Sequence, residues 1–298
     1  MPGDIYWENL SVNSKSRAKK TLITYAVTLV CLGIAFGINL TLHLAKELLE
    51  DGDDSSSSVW VLTGLLSLIT SLFVIVVNML LAKIIRILSK FEQHETHSKY
   101  NISIAVKLTI AMFINTAIIP MFVNFRKENW FDRGGLMEDI FYNTFSVSII
   151  SPLLYLIDPG YMIKKIRMCR EEKLGDESNL TQRQANKLFE GPPLDMAQRY
   201  ADTMLLYCIV YFYLFPLPII SVLGVIGSML QYWIEKWALV KRHKSPEEIG
   251  KTMVEVFYRM LPLFCLLYSI SMFVLQVELS DRIGGYTVFF IVFLLFML

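Results

Sequence analysis

Long apolar runs recur along this chain, and their length constrains the fold more than any other feature. An α-helix needs about 20 apolar residues to cross a bilayer core of about 30 Å. Since hydrocarbon offers no partners to backbone polar groups, runs of this length predict α-helices rather than strands or loops. Six runs approach or meet that length, at about residues 21–44, 59–88, 103–125, 138–157, 251–276 and 286–298.

A seventh apolar stretch, at residues 200–240, is too long for a single crossing. Pro216 and Pro218 lie near its middle, and proline disrupts helix interiors. We therefore divide it into two segments, at about 197–215 and 217–236, joined by a tight turn. The prediction is an all-α polytopic transmembrane helical bundle of about eight helices.

Composition agrees with a membrane protein and excludes several other classes. Of the 298 residues, 54% are hydrophobic and 18% are charged, against about 25% charged in soluble domains. The basic residues are scattered between apolar runs, so nucleic acid is not an expected partner. The four cysteines show neither metal-ligand spacing nor a disulfide framework. No HExxH, G-x-S-x-G or P-loop motif occurs, so we expect no enzyme activity, no metal and no cofactor.

The distribution of Lys and Arg predicts the orientation of the helices. If the amino terminus is cytosolic and the crossings alternate, 21 of the 28 basic residues lie in cytosolic segments and five in external ones. This is a strong positive-inside bias, and it predicts a cytosolic amino terminus. The predicted division is a cytosolic amino-terminal segment (1–20), segments one to four as the pore half (21–157), a cytosolic loop with a short helix (158–196) and segments five to eight (197–298).

The fourth segment, at about 138–157, is unusually rich in polar side chains. Thr144, Ser148 and Ser151 recur at i, i+4 and i+7 on one helix face, and Asn143 borders that face. Intramembrane polar residues are the default functional candidates, here as the wall of a water-filled path. The alternative is that they bond neighbouring helices; we favour the path, because one helix rarely needs so many bonding groups. The other predicted pore-lining residues are Asn39, Asn78, Asn115 and Thr116.

Charged residues near the segment ends predict the two mouths of the path. Glu138 and Asp139 lie at the outer end of the fourth segment and Asp158 lies at its inner end. They could concentrate cations at both mouths, or they could simply be solvated. Lys107 lies one turn inside the third segment, from which its long side chain can reach the cytosolic surface.

Four features, taken in order, resemble the OSCA/CSC-like family of osmosensitive and mechanosensitive calcium-permeable cation channels. The first is D-I-Y-W-E-N-L at residues 4–10, ahead of the first segment. The second is F-E-Q-H-E-T-H-S at 91–98, and the third is Q-A-N-K-L-F-E-G-P at 184–192. The fourth is the proline-broken hairpin at 197–236. The match extends over about residues 1–277.

The resemblance implies a fold similar to anoctamins and transmembrane channel-like proteins. By the resemblance, segments one to five form the pore, the fourth is the gating helix, and membrane tension opens the path to calcium, potassium and sodium. Members of that family carry three further membrane helices and a cytosolic domain before the equivalent of Asp4. We therefore expect a fragment, a truncation or one part of a split protein, working as a homodimer or with an amino-terminal half from another chain.

Two other functions remain open from the sequence. The chain could be a lipid scramblase that uses a groove between the second and fourth segments, or a non-conducting scaffold subunit in a larger membrane assembly. In each case membrane lipids are expected partners, and the expected location is the plasma membrane or an endolysosomal membrane.

Overall fold

The computed structural model describes residues 4–50, 57–124, 130–131, 135–175, 178–244 and 252–280. Within these ranges the chain is helical and the one β-type contact is an isolated antiparallel bridge between Ile5 and Thr96. The predicted all-α class is confirmed.

Nine helices are numbered here along the described chain. The first seven predicted segments coincide with α1, α2, α3, α4, α7, α8 and α9, and the eighth (286–298) lies outside the described residues. The bounds are α1 Ser14–Glu50, α2 Ser57–Phe91, α3 His97–Val123, α4 136–157, α5 Pro159–Leu174, α6 Gln182–Phe189, α7 Met196–Tyr213, α8 Ile219–Lys241 and α9 Thr252–Ser280.

Several helix starts are set by capping side chains. Thr96 accepts a hydrogen bond from the Lys99 amide at 3.1 Å and caps α3, and Asp195 caps α7 through the Gln198 amide at 3.1 Å. These side-chain acceptors satisfy amides that have no partner within the helix. Asp158, at a φ of 28°, ends α4 and caps α5 in the same way. The chain therefore changes direction at Asp158 with no intervening loop.

Both α3 and α4 widen into one π-helical turn in their interior, at Ile114–Ile118 and at Ser146–Ile150. Each π turn is followed closely by a proline, Pro120 in α3 and Pro152 in α4. Proline has no N–H and its ring clashes with the carbonyl four residues earlier, so a wider turn relieves the clash. The carbonyls released in this way are free to accept hydrogen bonds from other helices.

Among the described residues, five stretches are long and apolar enough to cross a membrane. They present apolar side chains outward, as at Leu22 (72% exposed) and Leu29 (71% exposed) of α1, because the surrounding solvent is hydrocarbon. The chain is therefore an integral, multi-pass membrane protein. The five stretches are Ser14–Leu44, Gly64–Phe91, His97–Val123, Leu136–Leu174, which includes both α4 and α5, and Met253–Phe273.

The core lies where α3 packs along α7, with α2 and α9 on either side. Leu108 of α3 and Ile209 of α7 are fully buried there. The gating candidate α4 lies between α2 and α8 and contacts both. Its surroundings therefore determine whether its polar face is wet.

Candidate functional site

A network of amides and hydroxyls ties α2, α3 and α4 together inside the bundle. The Asn78 amide donates to the Thr116 hydroxyl at 3.0 Å, and the Asn115 amide donates to Asn78 Oδ1 at 2.9 Å. The Asn143 amide donates to the backbone carbonyl of Thr116 at 3.2 Å. Four of the predicted pore-lining residues are thus brought into one buried cluster, which we name the amide network.

The π turn of α3 is what makes this network possible. The Thr116 carbonyl lies four residues before Pro120, so it has no backbone donor from that residue, and Asn143 supplies one instead. The neighbouring carbonyl of Ala117 accepts a hydrogen bond from the Tyr213 hydroxyl of α7 at 2.7 Å. The widened turn therefore provides acceptors to two other helices.

On the side of the network toward the carboxyl-terminal ends of α2, α4 and α8, a cavity of about 550 Å³ opens between α2, α4, α7 and α8. Asn78 and Ser151 lie at the end of this cavity nearest the network, whereas charged side chains line the part nearer those helix ends. We name it the inner cavity. Its charged lining consists of Lys83, Arg86, Asp158, Asp195, Arg199, Asp202 and Glu235.

On the opposite side of the network there is a second, much smaller cavity of about 20 Å³, which we name the outer cavity. This volume suits about one water molecule. It is bordered by Asn39 of α1, Asn143 and Asp139 of α4, and Asn124 after α3. The Asn124 amide lies 3.4 Å from Asp139 Oδ2.

The amide network lies between the two cavities. Asn78 borders the inner cavity and Asn143 borders the outer one, and both are bonded to Thr116. Thr116 and Asn115 have no exposed surface. In this conformation a polar path approaches from each side and is closed by side chains bonded to one another.

The polar stripe of α4 is mostly dry in this conformation. Thr144 is fully buried and donates to the Ile140 carbonyl of its own helix at 2.8 Å. Ser148 is fully buried against Gly227 of α8, where a Cβ would lie 2.8 Å from Ser148 Cβ. Of the three stripe residues, Ser151 borders a cavity. The stripe is therefore the face on which α4 packs against α8, because glycine permits close approach.

The predicted mouth charges have different environments. Asp139 borders the outer cavity, and Glu138 lines an open groove at the outer ends of α2 and α4. Asp158 borders the inner cavity and pairs with Arg242 of α8.

The expectation for Lys107 needs correction. Its side chain is 5% exposed and stays inside the protein instead of extending to the surface, because its ammonium contacts both carboxylate oxygens of Glu92 at 2.5 Å. A buried ammonium requires such a partner. Burial alone would raise the pKa of the Glu92 carboxyl, but hydrogen bonds from His94, Lys107 and Thr24 lower that pKa to about 2.

The D-I-Y-W-E-N-L stretch at residues 4–10 and the F-E-Q-H-E-T-H-S stretch at 91–98 are in direct contact. The Tyr6 amide donates to the Glu95 carbonyl, and the Asn9 side chain donates to the His94 carbonyl, each at 2.8 Å. Arg17 of α1 pairs with Glu95 at 2.7 Å. Hydrogen bonds from Lys99 and Arg17 lower the pKa of the Glu95 carboxyl to about 2. The amino-terminal segment is thereby fixed to the α2–α3 loop.

The sequence did not reveal a cluster at the carboxyl-terminal end of α4, which we name the latch. Arg242 pairs with Asp158, donates to the Tyr155 carbonyl at 2.8 Å and lies over the Tyr161 ring at 4.6 Å. His243 bonds the Tyr155 hydroxyl at 2.6 Å. In the sequence Arg242 contributes only to the positive-inside pattern and His243 to no pattern, since both are about 85 positions from their partners.

The lining of the inner cavity also contains charges that the sequence did not single out. Arg86 pairs with Asp195 at 2.8 Å, and Arg199 pairs with Asp202 at 3.1 Å. Glu235 Oε1 is buried without a hydrogen-bond partner in the described part of the chain. Across the described residues, no three His, Cys, Asp or Glu side chains gather as a metal-ligand group.

A protein-family model matches this chain. The family model described as "Anoctamin: Calcium-activated chloride channel" matches residues 6–298, which is nearly the whole chain. No curated protein matches the sequence significantly.

Proposed function

The chain belongs to the anoctamin family, and on that premise we propose that it is the pore-bearing part of a mechanically or osmotically gated, non-selective, calcium-permeable cation channel. The observation that carries the proposal is the amide network, which separates a large inner cavity from a small outer cavity. The four OSCA/CSC-like sequence features favour the mechanosensitive branch over a calcium-activated one.

The gate, in this proposal, is the amide network itself. Its members are neutral, so breaking their mutual hydrogen bonds and giving each group a water partner costs little net free energy. Wetting would then join the two cavities through Asn78, Thr116 and Asn143. A purely apolar plug would instead have to be rehydrated against the hydrophobic effect.

The outer cavity favours cations as the permeant ions. Its oxygen-bearing side chains are the Asp139 carboxylate, the amides of Asn39, Asn124 and Asn143 and the Thr70 hydroxyl, and the one basic side chain among its described lining residues is His43. Calcium prefers carboxylate and amide oxygens. A chloride path would be expected to present Lys or Arg there.

Tension is proposed to act on the contact between α4 and α8. Ser148 and Gly227 touch at the level of the second π turn, close to the amide network. Lateral stretch that separates these helices would uncover Ser148 and Thr144, and the rest of the polar stripe would then line the path. In this proposal the stripe contacts α8 in the closed state and water in the open state.

The test is current through the purified full chain in planar bilayers or excised vesicle patches under graded suction. We expect suction-activated current whose reversal potential follows the cation gradient and includes a calcium component. A reversal potential that follows chloride, or activation by calcium without tension, would contradict the proposal.

A scramblase is the second candidate, because an open groove of about 590 Å³ lies between the outer ends of α2 and α4. Gly64, Glu138 and Tyr142 border it together with apolar residues, so it offers polar groups beside the lipid. Transfer of fluorescent lipid between leaflets of the same vesicles, without ion current, would favour this function. Absence of both activities would favour the non-conducting scaffold.

The remaining assignments are proposals of the same kind. We place the protein in the plasma membrane or an endolysosomal membrane, with its amino terminus in the cytosol on the basis of the positive-inside bias. Assembly as a homodimer is proposed from the family resemblance. Protease accessibility of the amino terminus in sealed vesicles tests the orientation.

A further inference from the structure

Helix α5 begins where the membrane span of α4 ends. The last turn of α4 exposes Leu154 (40%) and Ile157 (54%), as expected of a surface in contact with lipid. Asp158 follows directly and is bound to Arg242, which lies five residues after the half-exposed Trp237 of α8. Exposed tryptophan is typical of the membrane interface. The start of α5 is therefore at the level of the cytosolic headgroups.

One long face of α5 combines apolar and basic side chains. Met162, Ile166, Cys169 and Lys173 recur at i, i+4, i+7 and i+11, so they form a stripe along the helix. Met162 is 53% exposed and Ile166 is 67% exposed. Lys165 and Arg170 flank the stripe, and together these six residues line one continuous shallow depression.

The other side of α5 is the one that faces protein. Lys164 donates to the Glu190 carbonyl at 2.5 Å, beyond the end of α6, and Glu171 accepts a hydrogen bond from Ser178 at 2.7 Å. Glu171 and Lys164 lie nearly opposite Ile166 around the helix. The stripe itself contains no acidic residue.

We propose that this face of α5 lies on the cytosolic leaflet and binds anionic lipid headgroups. The apolar side chains enter the boundary between headgroups and acyl chains, while Lys165, Arg170 and Lys173 extend their aliphatic stems along it and place their charges among the phosphates. Each basic residue near an anionic surface is worth roughly a fivefold preference for it. This inference does not rest on ion conduction.

The experiment uses the full chain with Cys31, Cys208 and Cys265 replaced by Ala, so that a fluorophore attaches at the exposed Cys169 alone. The protein is placed in vesicles of phosphatidylcholine, with or without phosphatidylserine. Quenching is measured with a lipid carrying a shallow nitroxide and, separately, with aqueous iodide. The matched label site is Glu171→Cys in a chain that also carries Cys169→Ser, which reports the opposite side of the same helix.

We expect the nitroxide lipid to quench the label at Cys169 several-fold more than the label at position 171. Phosphatidylserine should increase that quenching, and added salt should decrease it because charge interactions at a surface are screened. Arg170→Gln with Lys173→Gln should remove most of the increase due to phosphatidylserine, by roughly 25-fold in lipid preference. The control pair Arg183→Gln with Lys187→Gln, on exposed α6 positions, removes the same charge and should retain the increase.

Three outcomes would overturn the proposal. Strong iodide quenching at Cys169 without lipid quenching would mean that the face is in water. Protection from both quenchers would mean that protein covers it. Equal loss of the phosphatidylserine effect in both double variants would mean that net charge, rather than this face, is responsible.

Discussion

The middle of the bundle and the end that carries the latch are held together by different chemistry. In the middle, α2, α3 and α4 are joined by neutral amides and hydroxyls around Thr116. At the latch end, the contacts are ion pairs, such as Lys107 with Glu92 and Arg242 with Asp158. Neutral hydrogen bonds exchange with water at small net cost, whereas a separated buried ion pair leaves an uncompensated charge. The middle is thus suited to change, and the latch end to keep its geometry.

The largest expected effect is at the latch end of the bundle, from Lys107→Met. The change leaves the Glu92 carboxylate buried without its ammonium partner, so we expect a loss of about 3 kcal/mol in the free energy of unfolding. Denaturant unfolding in detergent measures it. Lys99→Met, which removes the 63% exposed partner of Glu95, should cost less than about 0.5 kcal/mol. Equal losses of unfolding free energy in Lys107→Met and Lys99→Met would contradict the distinction between buried and exposed ion pairs.

The second prediction concerns the α4–α8 contact through Gly227→Ala. The new Cβ would lie 2.8 Å from Ser148 Cβ, so α8 must shift away from α4, at a cost of about 1–3 kcal/mol. We expect channels that open at lower suction, because the variant already separates the helices that tension separates. Gly37→Ala is the matched control, since nothing lies within 4 Å of its added Cβ. An unchanged threshold would argue against this contact as the tension-sensitive one.

The third prediction tests the amide network through Thr116→Val. The substitution keeps the shape of the side chain but removes the hydroxyl that accepts a hydrogen bond from Asn78. The closed state should therefore lose about 1 kcal/mol of stability, and the open probability of the channel at fixed suction should rise about fivefold. Thr109→Val removes a buried hydroxyl of the same helix that bonds its own backbone, and should leave gating unchanged. If the amide network is not the gate, the current–suction curves of Thr116→Val and Thr109→Val would coincide.

The smallest expected effect is that of pH on the latch. Burial lowers the pKa of His243 below its ordinary value of 6.5, against an opposing hydrogen bond to the Pro192 carbonyl. The stabilisation from neutral His243 is therefore complete above pH 6.5 and is lost as the pH falls through the lowered pKa. The groups around this imidazole are the Tyr155 hydroxyl, the Pro192 carbonyl and the guanidinium groups of Arg242 and Arg199.

Mild acidification on the side of the membrane that carries the latch should consequently weaken the latch and shift the suction curve slightly. Glu92 should not contribute, because its stabilisation is complete above its ordinary pKa of 4.5 and is lost only as the pH falls from there toward its lowered pKa of about 2. His243→Gln should remove the pH-dependent shift. Persistence of the full shift in that variant would assign it to another group.

The fold was predictable from the sequence to a large extent, but the function of individual residues was not. Apolar length located seven segments, and the proline pair correctly divided α7 from α8. The polar residues of α2, α3 and α4 were identified, but not their arrangement. Asn78, Asn115 and Thr116 bond one another, whereas Thr144 and Ser148 pack against helices, and nothing in their local sequence distinguishes the two groups.

Lys107 shows why such distinctions require coordinates. From the sequence it was expected to extend toward the cytosol, since its position is one turn inside a helix. Its partner Glu92 is 15 residues away, across the α2–α3 turn, and only the packing of these helices brings the two charges together. The latch has the same origin, since Arg242 and Asp158 belong to helices separated by α5, α6 and α7.

By itself, the sequence determined that this protein crosses a membrane as a helical bundle, because hydrocarbon requires long apolar helices whatever their partners are. It also fixed the positions of the prolines and glycines that bend those helices and let them approach. Only the tertiary structure decided which polar groups are wet and which bond one another. Burial and hydrogen bonding depend on which helices become neighbours, and that is a property of the whole packed bundle.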